Sequence, residues 1–106
     1  MTGMEDRQKA FETKYALDQE VMFRIEARTA KLFGLWIAEK AGMNADDAKS
    51  FAASVVSANL DEPGFEDMKR AVRPVLADKG IDLSESDLDS QIEKLMEEAR
   101  LQITAE

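Results

Sequence analysis

Apolar residues recur at helical spacing along the whole chain, and the breaks in that recurrence divide it into four segments. The first is by far the longest. Phe11, Tyr15, Met22, Ile25, Leu32 and Trp36 trace a stripe that Val21, Phe33 and Leu35 widen, and no Pro or further Gly falls between Gly3 and Gly34. Thr2 and Glu5 have capping-box spacing at its start, and Gly42 ends it as a residue that tolerates a left-handed backbone. A helix over residues 4–41 would be roughly 55 Å long, against about 20 to 30 Å for the later segments. It must overhang its partners. The stripe is also uneven: before Val21 it holds only Met4, Phe11, Tyr15 and Leu17 among many charges, and after Val21 it is wide enough to bury. The packed part is therefore expected to begin near Val21, with residues 1–20 as a projecting arm and residues 21–106 as the bundle.

Asn44 caps a second helix over residues 45–60, and Asp46 and Asp47 favour its positive end. As helical neighbours those two acids point about 100° apart, which makes them poor partners for a metal. This helix presents Ala48, Phe51, Ala52, Val55, Val56 and Asn59 on one face, and small residues such as Ala52 allow close helix contact. Pro63 and Gly64 mark a turn. A third helix over residues 65–78 turns Phe65, Met68, Val72, Val75 and Leu76 inward, but Pro74 predicts a kink or split near Arg73. After Gly80, Ser84 and Asp87 open a last helix with Leu88, Ile92, Leu95, Met96, Ala99 and Ile103 inward; its acids Asp87, Asp89, Glu93, Glu97 and Glu98 read as a solvated face. Short connections make these four helices antiparallel neighbours. The fold class is all-α, a small antiparallel four-helix bundle whose long first helix projects or frays at its amino-terminal end. Its expected core is Ile25, Leu32, Leu35, Trp36, Phe51, Val55, Met68, Val72, Leu88, Ile92 and Leu95.

Composition narrows the function classes. A chain of 106 residues fits one domain, and with no Cys and no His it has no thiol nucleophile, no histidine base and no zinc-type ligand set. No glycine-rich phosphate loop and no serine beside a base is present, so the chain reads as a non-enzyme without cofactor or metal. The net charge of -8 argues against nucleic acid as a partner. No apolar run is long enough to span a membrane, and the expectation is a cytoplasmic protein, monomeric when free. The charge is unevenly spread. Seven basic and seven acidic residues balance through Ala41, so the remainder carries the whole -8.

The arm is where a partner would bind. Phe11 and Tyr15, four apart, can enter a groove together while Arg7 and Lys14 pair with acids at its rim, and Lys9 and Glu12 complete the candidate set. So short an isolated helix is marginal in water, which predicts fraying until it binds. The i,i+4 pairs Glu5–Lys9 and Lys14–Asp18 would add only about 0.2 to 0.5 kcal/mol each.

Four blocks in these regions carry a resemblance: DRQKAFETKYALDQE (residues 6–20), FRIEAR (23–28), KLFGLWIAEKAG (31–42) and EPGFEDMKRAVR (62–73). Together they are similar to the zeta subunit of alphaproteobacterial F-type ATP synthases. The resemblance spans nearly the whole chain and departs from the family pattern at Tyr15, at Thr29 and Ala30, and at Pro74. It implies a four-helix protein that inhibits ATP hydrolysis by inserting its amino-terminal segment between the catalytic alpha and beta subunits. By it, Arg7, Lys9, Phe11, Glu12, Lys14 and Tyr15 are the matching partner-binding positions. The implied partner is the catalytic head, alpha and beta with gamma as a further candidate contact, and the implied location is cytoplasmic and peripheral to the membrane-bound enzyme. A helical adaptor for a different regulatory partner is the competing reading. A small-molecule carrier has no specific support in the residues.

Overall fold

In a computed structural model the backbone of residues 3–61 and 64–105 is described, with side chains for residues 19–60 and 64–105. Four helices follow one another: α1 (Gly3–Lys40), α2 (Ala45–Asp61), α3 (Glu66–Lys79) and α4 (Glu85–Ala105). They form the small antiparallel bundle that the spacing predicts.

Local chemistry sets the boundaries. α1 closes at Gly42, whose φ of 72° puts it in the left-handed region, while the Met43 and Gly42 amides donate back to Ala38 and Glu39 carbonyls. Gly80, with φ 65°, closes α3 in the same way, as the Ile81 and Gly80 amides donate to Leu76 and Ala77. Asn44 Oδ1 accepts from the Asp47 amide at 2.8 Å and starts α2. The capping box at α4 is reciprocal: the Asp87 amide donates to Ser84 Oγ at 3.0 Å, and the Ser84 amide donates to Asp87 Oδ2 at 2.9 Å. The Ser84 amide, and after it the Ser84 hydroxyl, hold the Asp87 carboxyl below its ordinary value. The Thr2–Glu5 cap lies outside the described residues.

α3 differs from expectation at both of its notable residues. Phe65 stands at the N-cap without a side-chain bond, so the helix begins one residue later, with Glu66 and Asp67 in the first turn. Pro74 does not split α3, which runs through it as a single helix. Pro74 is exposed, and the carbonyl it leaves unpaired belongs to the exposed Arg70, where solvent can reach.

α1 is the spine. It packs against both α2 and α4, and this double contact turns its buried arc away from the expected centre. Phe33 and Ile37 are fully buried with Ala30 and Ala38, whereas Leu32, Leu35 and Trp36 are half-buried flanks; Phe51 on α2 is half-buried too. Val55, Met68, Val72, Leu88, Ile92 and Leu95 fill the core as expected, joined by Leu76. Thr29 and Ala30, where the chain departs from the resembled pattern, are both wholly buried. The Thr29 hydroxyl is satisfied by donating to the Ile25 carbonyl one turn back, at 2.6 Å.

Gly34 lets α1 and α2 approach closely. A Cβ at this position would stand 2.8 Å from the Ala52 Cα, so the two backbones pack at a distance that only glycine permits. With Gly34 opposite Ala52, the last residue of α2 falls level with about residue 25 of α1. On the other flank Arg28 Nη1 donates to Gln102 Oε1 at 2.7 Å, which brings the end of α4 to roughly the same level. α1 continues beyond both partners to Gly3, by about 33 Å at 1.5 Å per residue. The molecule is 64 Å long and only 26 by 22 Å across, dimensions set by that one helix.

Candidate partner-binding site

The candidate residues Arg7, Lys9, Phe11, Glu12, Lys14 and Tyr15 all belong to α1, in the part that has outrun α2 and α4. Their side chains lie outside the described residues, as do the pairs Glu5–Lys9 and Lys14–Asp18 and the expected fraying. The one continuous helix fixes their register relative to the bundle. At 3.6 residues per turn, Phe11, Tyr15 and Met22 share a line with Thr29 and Phe33, so the arm's apolar stripe continues the line of the core.

The described boundary between arm and bundle is gradual. Val21 is half-buried, Met22 and Phe23 are exposed, and Ile25 is the first buried side chain, about one turn later than the widening of the stripe suggests. Between them Arg24 Nη2 meets Glu20 Oε1 at 3.0 Å in an exposed i,i+4 pair, worth only a few tenths of a kcal/mol.

A second cluster, on the body, was not apparent from the sequence. Lys69 is only 5% exposed, yet its Nζ lies 2.9 Å from Glu66, 2.9 Å from Glu85 and 2.8 Å from Asp89. Arg73 also pairs with Glu85. Three carboxylates hold the ammonium proton firmly and raise the Lys69 pKa well above its ordinary value, Asp89 contributing most. Reciprocally, Lys69 and then Arg73 hold the Glu85 carboxyl down. The carboxylates are partly solvated while the lysine stem is buried, so the cluster ties α3 to α4 rather than presenting charge to a ligand.

Part of the acidic face of α4 is therefore structural. Asp87 caps the helix, Asp89 anchors Lys69, and Glu97 pairs with Arg100, which lowers the Glu97 carboxyl. Glu93 and Glu98 are exposed. The sequence signal for this was available: Glu85 and Asp89 are four apart on one face of α4, and Lys69 follows the inward Met68. Among the described residues no group of acidic side chains is arranged to hold a metal ion; where three carboxylates do converge, the Lys69 ammonium already fills the centre.

At the far end of the bundle Trp36 stacks on Phe33 with centroids 6.0 Å apart, and Lys40 Nζ sits 4.9 Å above the indole. Its contacts are those of a half-buried flank of the core. Among the described residues no helix is long and apolar enough to cross a membrane.

No curated protein matches this chain. A family model does, over nearly its full length: that of the ATPase inhibitor subunit zeta matches residues 1–102, and the chain belongs to that family.

Proposed function

We propose that this protein inhibits ATP hydrolysis by an F-type ATP synthase, and that it does so by inserting the amino-terminal part of α1 between the alpha and beta subunits of the catalytic head. The observation that carries this reading is the overhang: α1 extends about 33 Å past α2 and α4, further than its own bundle can cover. Membership in an ATPase-inhibitor family supplies the kind of partner. The chain then divides into an arm, residues 1–20, and a bundle, residues 21–106.

In the arm, Phe11 and Tyr15 are the apolar anchors, and Arg7, Lys9, Glu12 and Lys14 pair with charges at the rim of the groove. A helix lodged there stabilises one state of the catalytic cycle, and hydrolysis stops when turnover would require that interface to change shape. The bundle, 26 by 22 Å in cross-section, is too wide to follow the arm inward and acts as a stop. The protein works in the cytoplasm at the periphery of the membrane-bound enzyme. It acts as a monomer, and gamma lies within reach of the inserted arm.

Deletion of residues 1–16 tests this. A shortened protein that keeps its helical signal and its melting temperature but no longer inhibits the cognate ATPase is the expected result. Undiminished inhibition by the shortened protein would sink the insertion mechanism, and recovery of no ATP synthase subunit by the full chain would favour an adaptor for another partner.

A further inference from the structure

Met22 and Phe23 occupy core register without having a core. Met22 is seven residues before Thr29 and eleven before Phe33; Phe23 is seven before Ala30 and fourteen before Ile37; all four of those later residues are 0% exposed. Met22 and Phe23 themselves are 46% and 59% exposed. The cause is the length of the neighbours. α2 and α4 both end level with about residue 25, so the inward face of α1 emerges uncovered roughly 3 to 5 Å further on. Leu60, 54% exposed on the last turn of α2, adds a third apolar side chain at this end. Leu101 is different: it lies on the side of α4 turned away from Ile92, Leu95 and Ala99, as an isolated surface residue.

We infer that Met22 and Phe23, flanked by Leu60, form a second contact with the protein that takes the arm, seated on an apolar rim at the mouth of its groove. The inference rests on the proposed insertion and adds to it where the bundle docks. Two arguments select this occupant. Tyr15 and Met22 are on one line of a single helix and only about 10 Å apart along it, so a subunit that encloses Tyr15 necessarily arrives beside Met22. A second copy of this chain is the poorer partner, because the residues after Ala41 carry the entire net charge of -8 and would be brought together in pairs. Docking at this collar also explains how insertion depth is set: the arm advances until the stranded apolar pair meets the rim.

The test uses the full-length protein carrying Met22→Gln with Phe23→Gln, beside Leu101→Gln as an equally exposed control. Dissociation constants for the isolated catalytic head, thermal melts and light-scattering masses are measured for each. The double variant should melt like the unsubstituted chain, remain a monomer and bind about tenfold more weakly or worse, while Leu101→Gln stays within about twofold. Phe23→Leu, which keeps the apolar surface, should retain most of the binding. Binding by the double variant within about twofold of the original overturns the inference, as does self-association of the original chain that the double variant abolishes without changing its affinity for the head. Phe11→Ala separates the two readings. Loss of binding in Phe11→Ala alone leaves insertion standing and removes the collar, and an original chain that fails to bind the head removes both.

Discussion

The two halves of α1 share one unbroken helix and have opposite fates. From Ile25 onward nearly every turn places a side chain in the core: Ile25, Thr29, Ala30, Phe33, Ile37 and Ala38 are all buried, and Gly34 brings α2 to van der Waals distance. Before Ile25 the backbone of the same helix runs past the ends of α2 and α4, and among the described side chains there Met22 and Phe23 are exposed while Val21 is only half-buried. Backbone hydrogen bonding is equivalent in both halves, so the difference lies in what stands opposite. Helical stability in proteins comes chiefly from packing an apolar face. The carboxy-terminal half receives that packing from its own chain, and the amino-terminal half extends beyond the ends of α2 and α4. If the proposed insertion holds, one half serves folding and the other binding, and substitutions in them should register in different measurements.

The largest effect expected from such a separation is at Phe33. It is fully buried in the core and stacked on Trp36 at 6.0 Å. Phe33→Ala should lower folding stability by about 3 to 5 kcal/mol through lost transfer energy and the cavity left behind. Phe11→Ala should leave chemical denaturation unchanged within about 0.5 kcal/mol while impairing ATPase inhibition. Equal losses of stability in the two variants would break the comparison, since they would mean that the arm folds back onto the bundle.

Much of this architecture was legible because its causes are local. Asn44, Gly42, Gly80 and the Ser84–Asp87 box mark helix ends through bonds made within a few residues, and the structure forms each of them. What escaped depends on partners distant in sequence. The inward face of α1 centres on Phe33 and Ile37 rather than Leu32 and Trp36 because two helices, not one, flank it. Pro74 reads as a break in isolation, yet α3 carries it on an exposed face. Lys69 reads as a surface charge until Glu85 and Asp89 arrive from α4. The candidate site was legible only as an excess of helix over bundle, since within this chain nothing but the length of α1 beyond α2 and α4 marks it.

An intermediate effect belongs to Lys69, which probes the folding half of the comparison through charge. Removing it by Lys69→Ala strips a buried stem from the α3–α4 junction and leaves Glu66, Glu85 and Asp89 facing one another. These acids are partly solvated, at 70%, 48% and 56% exposure, so the loss should be about 1 to 3 kcal/mol, less than for an enclosed ion pair. The pH dependence follows from the same contacts. Glu85, Asp87 and Glu97 are held below their ordinary values of 4.5, 3.8 and 4.5, so their contribution is present above those values and is lost as acid protonates the folded form. Lys69 is raised from 10.5, so its contribution is present below that pH and is lost only in strong alkali. Urea midpoints should therefore be level from about pH 5 to 10 and fall in acid, and Lys69→Ala should flatten part of that acid fall. An acid limb of unchanged steepness in the variant would detach Glu85 from this role.

The smallest expected effect gives the comparison its most direct reading. Trp36 is the only tryptophan and lies in the bundle half, where Lys40 sits above its ring at 4.9 Å. Lys40→Met removes a partly solvated cation–π contact and should reduce stability by only about 0.5 kcal/mol, with a small change in indole emission. The informative measurement is the emission of the unsubstituted chain on binding the catalytic head. Met22 lies fourteen residues before Trp36 on α1, about 21 Å along the helix. If the halves are as independent as their packing implies, docking at the arm leaves the indole spectrum unchanged, whereas Lys40→Met alters it with no partner present. A spectral shift on binding as large as that caused by Lys40→Met would show strain passing along α1 into the core, and the two halves of the helix would then not be independent.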